Sequence, residues 1–135
     1  MSKRILLADD DESVRKMIAR VLESAGYQVV NASTGRQTLT QFCSARPDLV
    51  LLDLRMPDQE GWETFDQINL CDPLVPVVVI TAWPNQHEQA AARGTDALME
   101  KPLDIALMLD TIHRLLTEPD QARIRRERER RLAAA

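Results

Sequence analysis

The sequence predicts an α/β fold in which one parallel sheet is covered by helices on both faces. Five apolar segments of strand length alternate with segments whose apolar residues recur at helical spacing. Two of the strand segments, DLVLLDL and VPVVVITA, are apolar at nearly every position, as strands must be when both faces of their sheet are covered. Right-handed crossovers then join the parallel strands, which leaves few possible topologies.

The first half of the chain supplies three strands and two helices. ILLAD predicts the first strand, and an amphipathic stripe of apolar residues follows it as a helix that Gly26 ends. YQVVNAS predicts the second strand. Thr34 and Gln37 resemble a capping box that opens the second helix, and Pro47 ends this helix before DLVLLDL forms the third strand.

The second half continues the alternation. The loop RMPDQEG leads into a third helix that starts near Trp62, and VPVVVITA predicts the fourth strand. We expect Asn85 and Glu88 to cap a fourth, Ala-rich helix that ends at Gly94. DALMEK predicts a short fifth strand, and the last helix starts near Asp104. Its inward apolar residues are predicted to be Ile105, Met108, Leu109, Ile112, Leu115 and Leu116.

The charge of the chain is divided between an acidic body and a basic tail. The net charge is −4, but residues 118–135 hold six arginines and four acids, which leaves −6 for residues 1–117. An acidic body does not suit nucleic acid and favours cations instead. We therefore predict a domain over 1–117 with no direct nucleic-acid contact. The Arg/Glu-rich tail, 118–135, is expected to be a helical extension or disordered.

The apolar runs and the thiols indicate the compartment. VPVVVITA is too short to span a membrane, and the apolar run after MSKR is too short for a signal peptide. Cys43 and Cys71 have neither CxxC spacing nor a neighbouring His cluster, so they are predicted to be core or near-core thiols of a reducing compartment. A cytoplasmic protein with no membrane partner is the expectation.

Polar and charged residues stand where four of the predicted strands end. Strand one ends in Asp9 and Asp10, strand three in Asp53, strand four in Thr81 and strand five in Lys101. Ligands of open α/β sheets bind outside the carboxyl ends of the strands. Three carboxylates with no arginine beside them in sequence favour a hard divalent cation such as Mg²⁺, which phosphate oxygens commonly complete.

These residues, in the segments ADDDE, LLDLRMPDQEG, ITA and EKP, resemble a response-regulator receiver domain of two-component signalling, like the chemotaxis regulators. The resemblance covers residues 3 to about 117. It implies a flavodoxin-like fold, a single doubly wound sheet of five strands in the order 2-1-3-4-5 with five helices. It also implies a signalling domain, not an enzyme with an external substrate, that catalyses only its own phosphorylation and dephosphorylation.

The resemblance assigns the phosphoacceptor and the metal ligands. Asp53 would take a phosphoryl group from the phosphohistidine of a histidine kinase or a phosphotransfer protein. Mg²⁺ (or Mn²⁺) would be bound by Asp10 and Asp53, by Asp9 mainly through water, and by the backbone carbonyl of Arg55. Glu12 and its neighbour Asp11 would instead favour the first turn of helix one.

The remaining site residues follow from the same resemblance. Lys101 would neutralise the phosphoryl oxygens together with the metal, through a cis peptide bond to Pro102. Thr81 would donate a hydrogen bond to the bound phosphoryl group and move towards it. Ala82 would leave room for that group.

Two departures from the family pattern concern switching and lifetime. Leu98 stands where the family usually carries Tyr or Phe, so the usual aromatic switch is in doubt. Arg55 and Trp83 occupy variable positions that tune hydrolysis of the aspartyl phosphate, and both are large. The output surface is expected to be helix four, strand five and helix five, facing a protein effector or a second copy of the chain.

Other function classes lack their sequence features. A dinucleotide-binding enzyme would carry GxGxxG after strand one, where this chain has ADDDES. Phosphatases with an aspartate nucleophile resemble a DxD pattern, but Asp53 is followed by Leu54 and Arg55. The chain is then a stand-alone receiver or the excised amino-terminal part of a larger DNA-binding or enzymatic regulator. A phosphate-independent pseudo-receiver adaptor is the further alternative.

Overall fold

A computed structural model of the chain describes residues 2–58 and 61–119, together with Ile124, Arg128, Glu129 and Leu132. The described strands form one parallel sheet in the order β2-β1-β3-β4-β5. This confirms the predicted doubly wound α/β fold. The elements in chain order are β1 (Arg4–Ala8), α1 (Glu12–Ser24), β2 (Gln28–Ala32), α2 (Gly35–Ala45), β3 (Leu49–Asp53), α3 (Gly61–Cys71), β4 (Val77–Thr81), α4 (His87–Arg93), β5 (Ala97–Glu100) and α5 (Ile105–Thr117).

The core lies on both faces of the sheet, and the two central strands supply both. Every residue of β3 and β4 is buried, because successive side chains point to opposite faces and helices cover each face. Val50 and Leu52 pack in a cluster with side chains of α2, α3 and α4. Leu49 and Leu51 pack in the second cluster with side chains of α1 and α5.

The helix ends follow most of the predicted signals. Asp11 caps α1 by accepting two backbone N–H groups of its first turn, and Gly26 follows the helix at φ 96°. Thr34 caps α2 by accepting the N–H of Gln37 at 3.0 Å. The side chain of Gln37 reaches back to the N–H of Ser33 at 2.7 Å, one residue before the position that a capping box uses.

Two sequence expectations are wrong. Asn85 was expected to cap α4, but the helix begins at His87, and Asn85 lies one residue before the cap in a left-handed conformation with φ 62°. The capping position is Gln86, and its side chain makes no cap bond to the helix. Cys43 and Cys71 are exposed rather than buried, because Phe42 and Ile68 take the inward positions of their helices.

The end of the domain is described as far as α5 and the two residues after it. Helix α5 begins after Asp104, whose side chain accepts the N–H of Leu107 at 3.0 Å, and it ends at Thr117. The predicted tail, 118–135, lies largely outside the described residues, so its form stays a prediction. Among the described residues, no helix combines the length and the apolar character needed to cross a bilayer.

Candidate functional site

The carboxyl ends of β1, β3 and β5 meet at one lysine. The amino group of Lys101, which follows β5, lies 2.8 Å from Oδ2 of Asp53 and 3.2 Å from Oδ2 of Asp9. Asp53 is the last residue of β3, and Asp9 follows β1 directly. Lys101 is 92 positions from Asp9 and 48 positions from Asp53 in the sequence, and the order of the strands in the sheet brings the three together. The peptide bond between Lys101 and Pro102 is cis, as the resemblance implied.

Three carboxylates share this edge of the sheet. Oxygen atoms of Asp9, Asp10 and Asp53 all lie within 4.8 Å of one another. Asp9 and Asp53 are only 1% and 2% exposed, whereas Asp10 is exposed. A cleft of about 280 Å³ opens above them, and its lining residues are Asp10, Asp11, Asp53, Arg55, Ala82 and Lys101.

The backbone N–H, the carbonyl oxygen and the carboxylate of Asp9 all have hydrogen-bond partners. Its backbone N–H donates to the carbonyl of Ala32 at 3.1 Å, and its Oδ1 accepts the N–H of Asp11 at 2.9 Å. Its own carbonyl oxygen accepts from the Arg15 guanidinium at 2.8 Å. The turn between β1 and α1 is therefore held by contacts with β2, with α1 and with Lys101.

The charges of the site oppose one another across short distances. Burial raises the pKa of Asp9, and the neighbouring Asp53 carboxylate adds to this, while the N–H of Asp11 and the ammonium of Lys101 act in the opposite direction. Burial alone would lower the pKa of Lys101. Its hydrogen bonds and proximity to Asp53 and Asp9 outweigh burial and leave that pKa raised, so the lysine keeps its charge at neutral pH.

The loop after β3 is fixed close to Asp53. Oδ1 of Asp53 accepts the N–H of Arg55 at 3.0 Å, and the N–H of Gly61 donates to the carbonyl of Leu54 at 2.9 Å. A Cβ atom on Gly61 would lie 2.2 Å from Cα of Leu54, so only glycine fits this closure. The backbone of Arg55 is thereby held beside the phosphoacceptor candidate.

Sequence reasoning missed the part of this loop that contacts α2. The carboxylate of Asp58 accepts the first two backbone N–H groups of α2 at 2.6 and 2.9 Å. These bonds hold the pKa of Asp58 below its usual value, and the bond from the N–H of Arg36 has the largest effect. The Asp and Gly of PDQEG are turn residues, and this is the only local signal that could have pointed to the loop's closure.

The residues of the β4–α4 connection stand differently. Thr81 is buried, and its hydroxyl accepts the N–H of Trp83 at 2.9 Å. Thr81 is not among the residues that line the cleft. Ala82 does line the cleft, and Trp83 is 37% exposed. Leu98 is half-buried and packs against the cluster beneath α2, α3 and α4.

The donor set fits Mg²⁺. Oxygen atoms of three carboxylates lie close together, and two of the three, Asp10 and Asp53, line an open cleft. Mg²⁺ prefers oxygen ligands from one or two carboxylates while it keeps several waters. Lys101 already balances part of the negative charge, so a divalent cation would bring the cluster towards neutrality.

Comparison with known proteins assigns the chain to a family. The family model of the response regulator receiver domain matches residues 5–113. The response regulator MprA of Mycolicibacterium vanbaalenii is 37% identical over 124 residues, which are 89% of this chain and 54% of that protein. MprA of Mycobacterium tuberculosis is 36% identical over 126 residues, 90% of this chain and 55% of the relative. The chain thus spans about half the length of the curated relatives it matches.

Solved structures share the fold. A CheY-like receiver domain protein of Methanospirillum hungatei superposes with a TM-score of 0.80 at 26% identity, over 96% of this chain and 99% of that one. The chemotaxis regulator CheY4 of Vibrio cholerae gives 0.78 at 27%, over 85% and 99%. TrrA of Thermotoga maritima, in complex with Mg²⁺–BeF, gives 0.78 at 26%, over 84% and 98%. The chain belongs to the response regulator receiver domains of two-component signalling.

Proposed function

We propose that the chain accepts a phosphoryl group on Asp53 from the phosphohistidine of a histidine kinase or a phosphotransfer protein in the cytoplasm. The observation that carries this proposal is that both oxygens of the Asp53 carboxylate accept a hydrogen bond. Oδ1 accepts the N–H of Arg55, and Oδ2 accepts the ammonium of Lys101. A nucleophile oriented in this way at the wall of a cleft gains from positioning alone.

The reaction would form a bond between a carboxylate oxygen of Asp53 and phosphorus while the bond from phosphorus to the donor nitrogen breaks. Lys101 lies at the attacking carboxylate, and its raised pKa keeps it cationic to stabilise charge on the phosphoryl oxygens. Mg²⁺ (or Mn²⁺), held by Asp9, Asp10, Asp53 and the carbonyl of Arg55, would supply further positive charge at the same oxygens. TrrA, the structural relative in complex with Mg²⁺–BeF, supports a metal of this kind.

The output of phosphorylation is proposed to pass through the β4–α4 connection. Thr81 would turn its hydroxyl towards the phosphoryl group, and Ala82, which already lines the cleft, leaves room for that group. This movement would disturb the bond between Thr81 and the N–H of Trp83 and so the entry to α4. A protein effector or a second copy of the chain would then bind the face formed by α4, β5 and α5. The usual rotation of an aromatic side chain would play no part, because Leu98 stands at the position of that aromatic residue.

The runner-up proposal concerns the extent of the protein rather than its chemistry. Because the chain spans about 54% of the MprA proteins, it is also consistent with the receiver part of a longer regulator. A phosphate-independent adaptor is less well supported, since Asp9, Asp10, Asp53 and Lys101 form one cluster at the cleft, with Thr81 beside it at the end of β4.

Intact-mass measurement tests the phosphoacceptor directly. The chain is incubated with a small phosphodonor and Mg²⁺, and one phosphoryl adduct is expected. Asp53→Asn should abolish the adduct, because an amide is a poor nucleophile, while Asp110→Asn, at an exposed position of α5, should leave it unchanged. A full adduct on Asp53→Asn, or equal labelling in excess chelator, would refute the assignment.

A further inference from the structure

Two adjacent cations of α1 have different surroundings. Arg15 is half-buried, and its Nη1 donates to the carbonyl oxygen of Asp9 at 2.8 Å. The next residue, Lys16, has a side chain that is 71% exposed and pairs with Glu12 at 3.0 Å on the helix surface. Only Arg15 of this pair is directed back into the turn that carries the acids.

The carbonyl that Arg15 holds lies between two of the clustered acids. It belongs to the peptide group that joins Asp9 to Asp10, so its orientation sets the direction in which Asp10 leaves the turn. The N–H of Asp9 is already bound by Ala32, and its side chain is bound by the N–H of Asp11 and by Lys101. The bond from Arg15 is a contact to the next peptide and restrains its plane.

We propose that Arg15 is a positioning residue of the metal site, one that acts on Mg²⁺ through the peptide group between Asp9 and Asp10. The inference rests on the proposed function, because it concerns the same cation. Arg15 has an effect as a charge as well, and that effect has the opposite sign. A guanidinium close to an acidic cluster repels a second cation, so charge alone makes Arg15 weaken Mg²⁺ binding, whereas positioning makes it strengthen binding.

The opposite signs permit a decisive experiment on the whole chain. Thermal unfolding is measured against Mg²⁺ concentration, which yields the metal-free melting temperature and the apparent Mg²⁺ affinity together. Arg15→Ala should weaken the affinity about tenfold or more, the usual cost of removing a group that orients a ligand. Lys16→Ala, the matched loss of a neighbouring cation, should change it by less than about twofold.

Further outcomes separate the explanations. Affinity that is unchanged or tighter in Arg15→Ala overturns the proposal, and so does an equal loss in Lys16→Ala. Arg15→Lys keeps the charge and shortens the reach, so it should also weaken binding, and it serves as the test if Arg15→Ala does not fold. If the wild-type chain shows no response to Mg²⁺, the metal site of the proposed function fails and takes this inference with it. If the wild type binds Mg²⁺ and Arg15→Ala binds it equally well, only the role of Arg15 is wrong.

Discussion

The two sides of the carboxyl edge of the sheet are held in different ways. On one side, the acids after β1 and β3 are fixed by backbone N–H groups, by Arg15 and by Lys101, at distances between 2.8 and 3.2 Å. On the other side, α4 has only seven residues, and its capping residue makes no side-chain bond to the helix. The residue before that cap, Asn85, has φ 62°.

Polar contacts tie α4 and its cap to one aromatic side chain of α3, while Ala90 buries the inner face of α4 in the core. The indole N–H of Trp62 donates to Oε1 of Gln86 at 2.9 Å, and the Arg93 guanidinium lies 5.2 Å from the centre of the Trp62 ring. Arg93 also pairs with Asp66 of α3. These contacts hold both ends of α4 against α3.

The difference matches what each side is proposed to do. Transfer of a phosphoryl group needs a nucleophile and cations that do not move, because misplacement reduces the rate steeply. A signal to a partner needs a segment with few contacts, which can change its arrangement at low cost. The acid side therefore suits the chemistry, and the α4 side suits the switch.

The largest expected loss of stability comes from a change on the acid side. Gly61→Ala places a Cβ 2.2 Å from Cα of Leu54, and neither backbone segment can yield without opening the loop beside Asp53. We expect a loss of about 3 kcal/mol or more in the free energy of unfolding, measured by urea denaturation. Gly26→Ala is the matched control. It meets no atom within 4 Å and carries only the strain of φ 96°, about 1–2 kcal/mol. Equal losses in the two variants would show that the loop is not rigid.

The second effect is stabilisation by the cation. Mg²⁺ that binds only the folded chain should raise the free energy of unfolding by about 2.7 kcal/mol at a hundredfold excess over its dissociation constant. Asp10→Ala should remove most of this gain, since Asp10 is the exposed carboxylate of the cluster. A gain of the same size in Asp10→Ala, or none in the wild type, contradicts the metal site.

The pH dependence of that gain has a definite sign. Because burial raises the pKa of Asp9, its ionised form costs the metal-free fold stability, and this cost disappears as the pH falls through the raised pKa. Mg²⁺ needs the ionised form, so the gain from Mg²⁺ should shrink as the pH falls below that raised pKa. A gain that does not decline as the pH is lowered through the acid range would place the cation away from Asp9.

Much of the structure of the acid side was predictable from the sequence, and much of the structure of the α4 side was not. β3 and β4 are continuous apolar runs, and the acids stand at strand ends, so parallel topology alone brings them together. Asn85 was misread because asparagine favours both a helix cap and a positive φ, and only the surrounding chain decides between them. The bond between Trp62 and Gln86 joins residues 24 positions apart, for which no local signal exists.

A smaller effect is expected at the attachment of α4. Gln86→Ala removes the acceptor of the buried Trp62 N–H and should cost about 1 kcal/mol, the lower end for such a loss, because Gln86 is only half-buried and water can replace it. In a Trp62→Phe background, which has no N–H to satisfy, the same change should be nearly neutral. Urea denaturation of the four proteins gives the coupling energy, and a coupling near zero would mean that this bond does not hold α4.

The smallest effect compares the two sides at the cleft itself. Arg55 lines the cleft from the acid side, and Trp83 follows Ala82, which lines it from the α4 side. Both are large and exposed, so each is expected to hinder the in-line approach of water to an aspartyl phosphate on Asp53. Arg55→Ala and Trp83→Ala should each shorten the lifetime of the phosphorylated chain about threefold, a change of about 0.65 kcal/mol in the barrier.

The lifetime is followed by intact mass after the phosphodonor is removed. Leu107→Ala, on an exposed position of α5 outside the cleft lining, is the control and should decay at the wild-type rate. Faster decay in Arg55→Ala alone would mean that the acid side governs the access of water and that α4 serves only the signal. Faster decay in Trp83→Ala alone would link the lifetime to the α4 side, because any movement of Thr81 that displaces Trp83 would then also set how long the signal lasts.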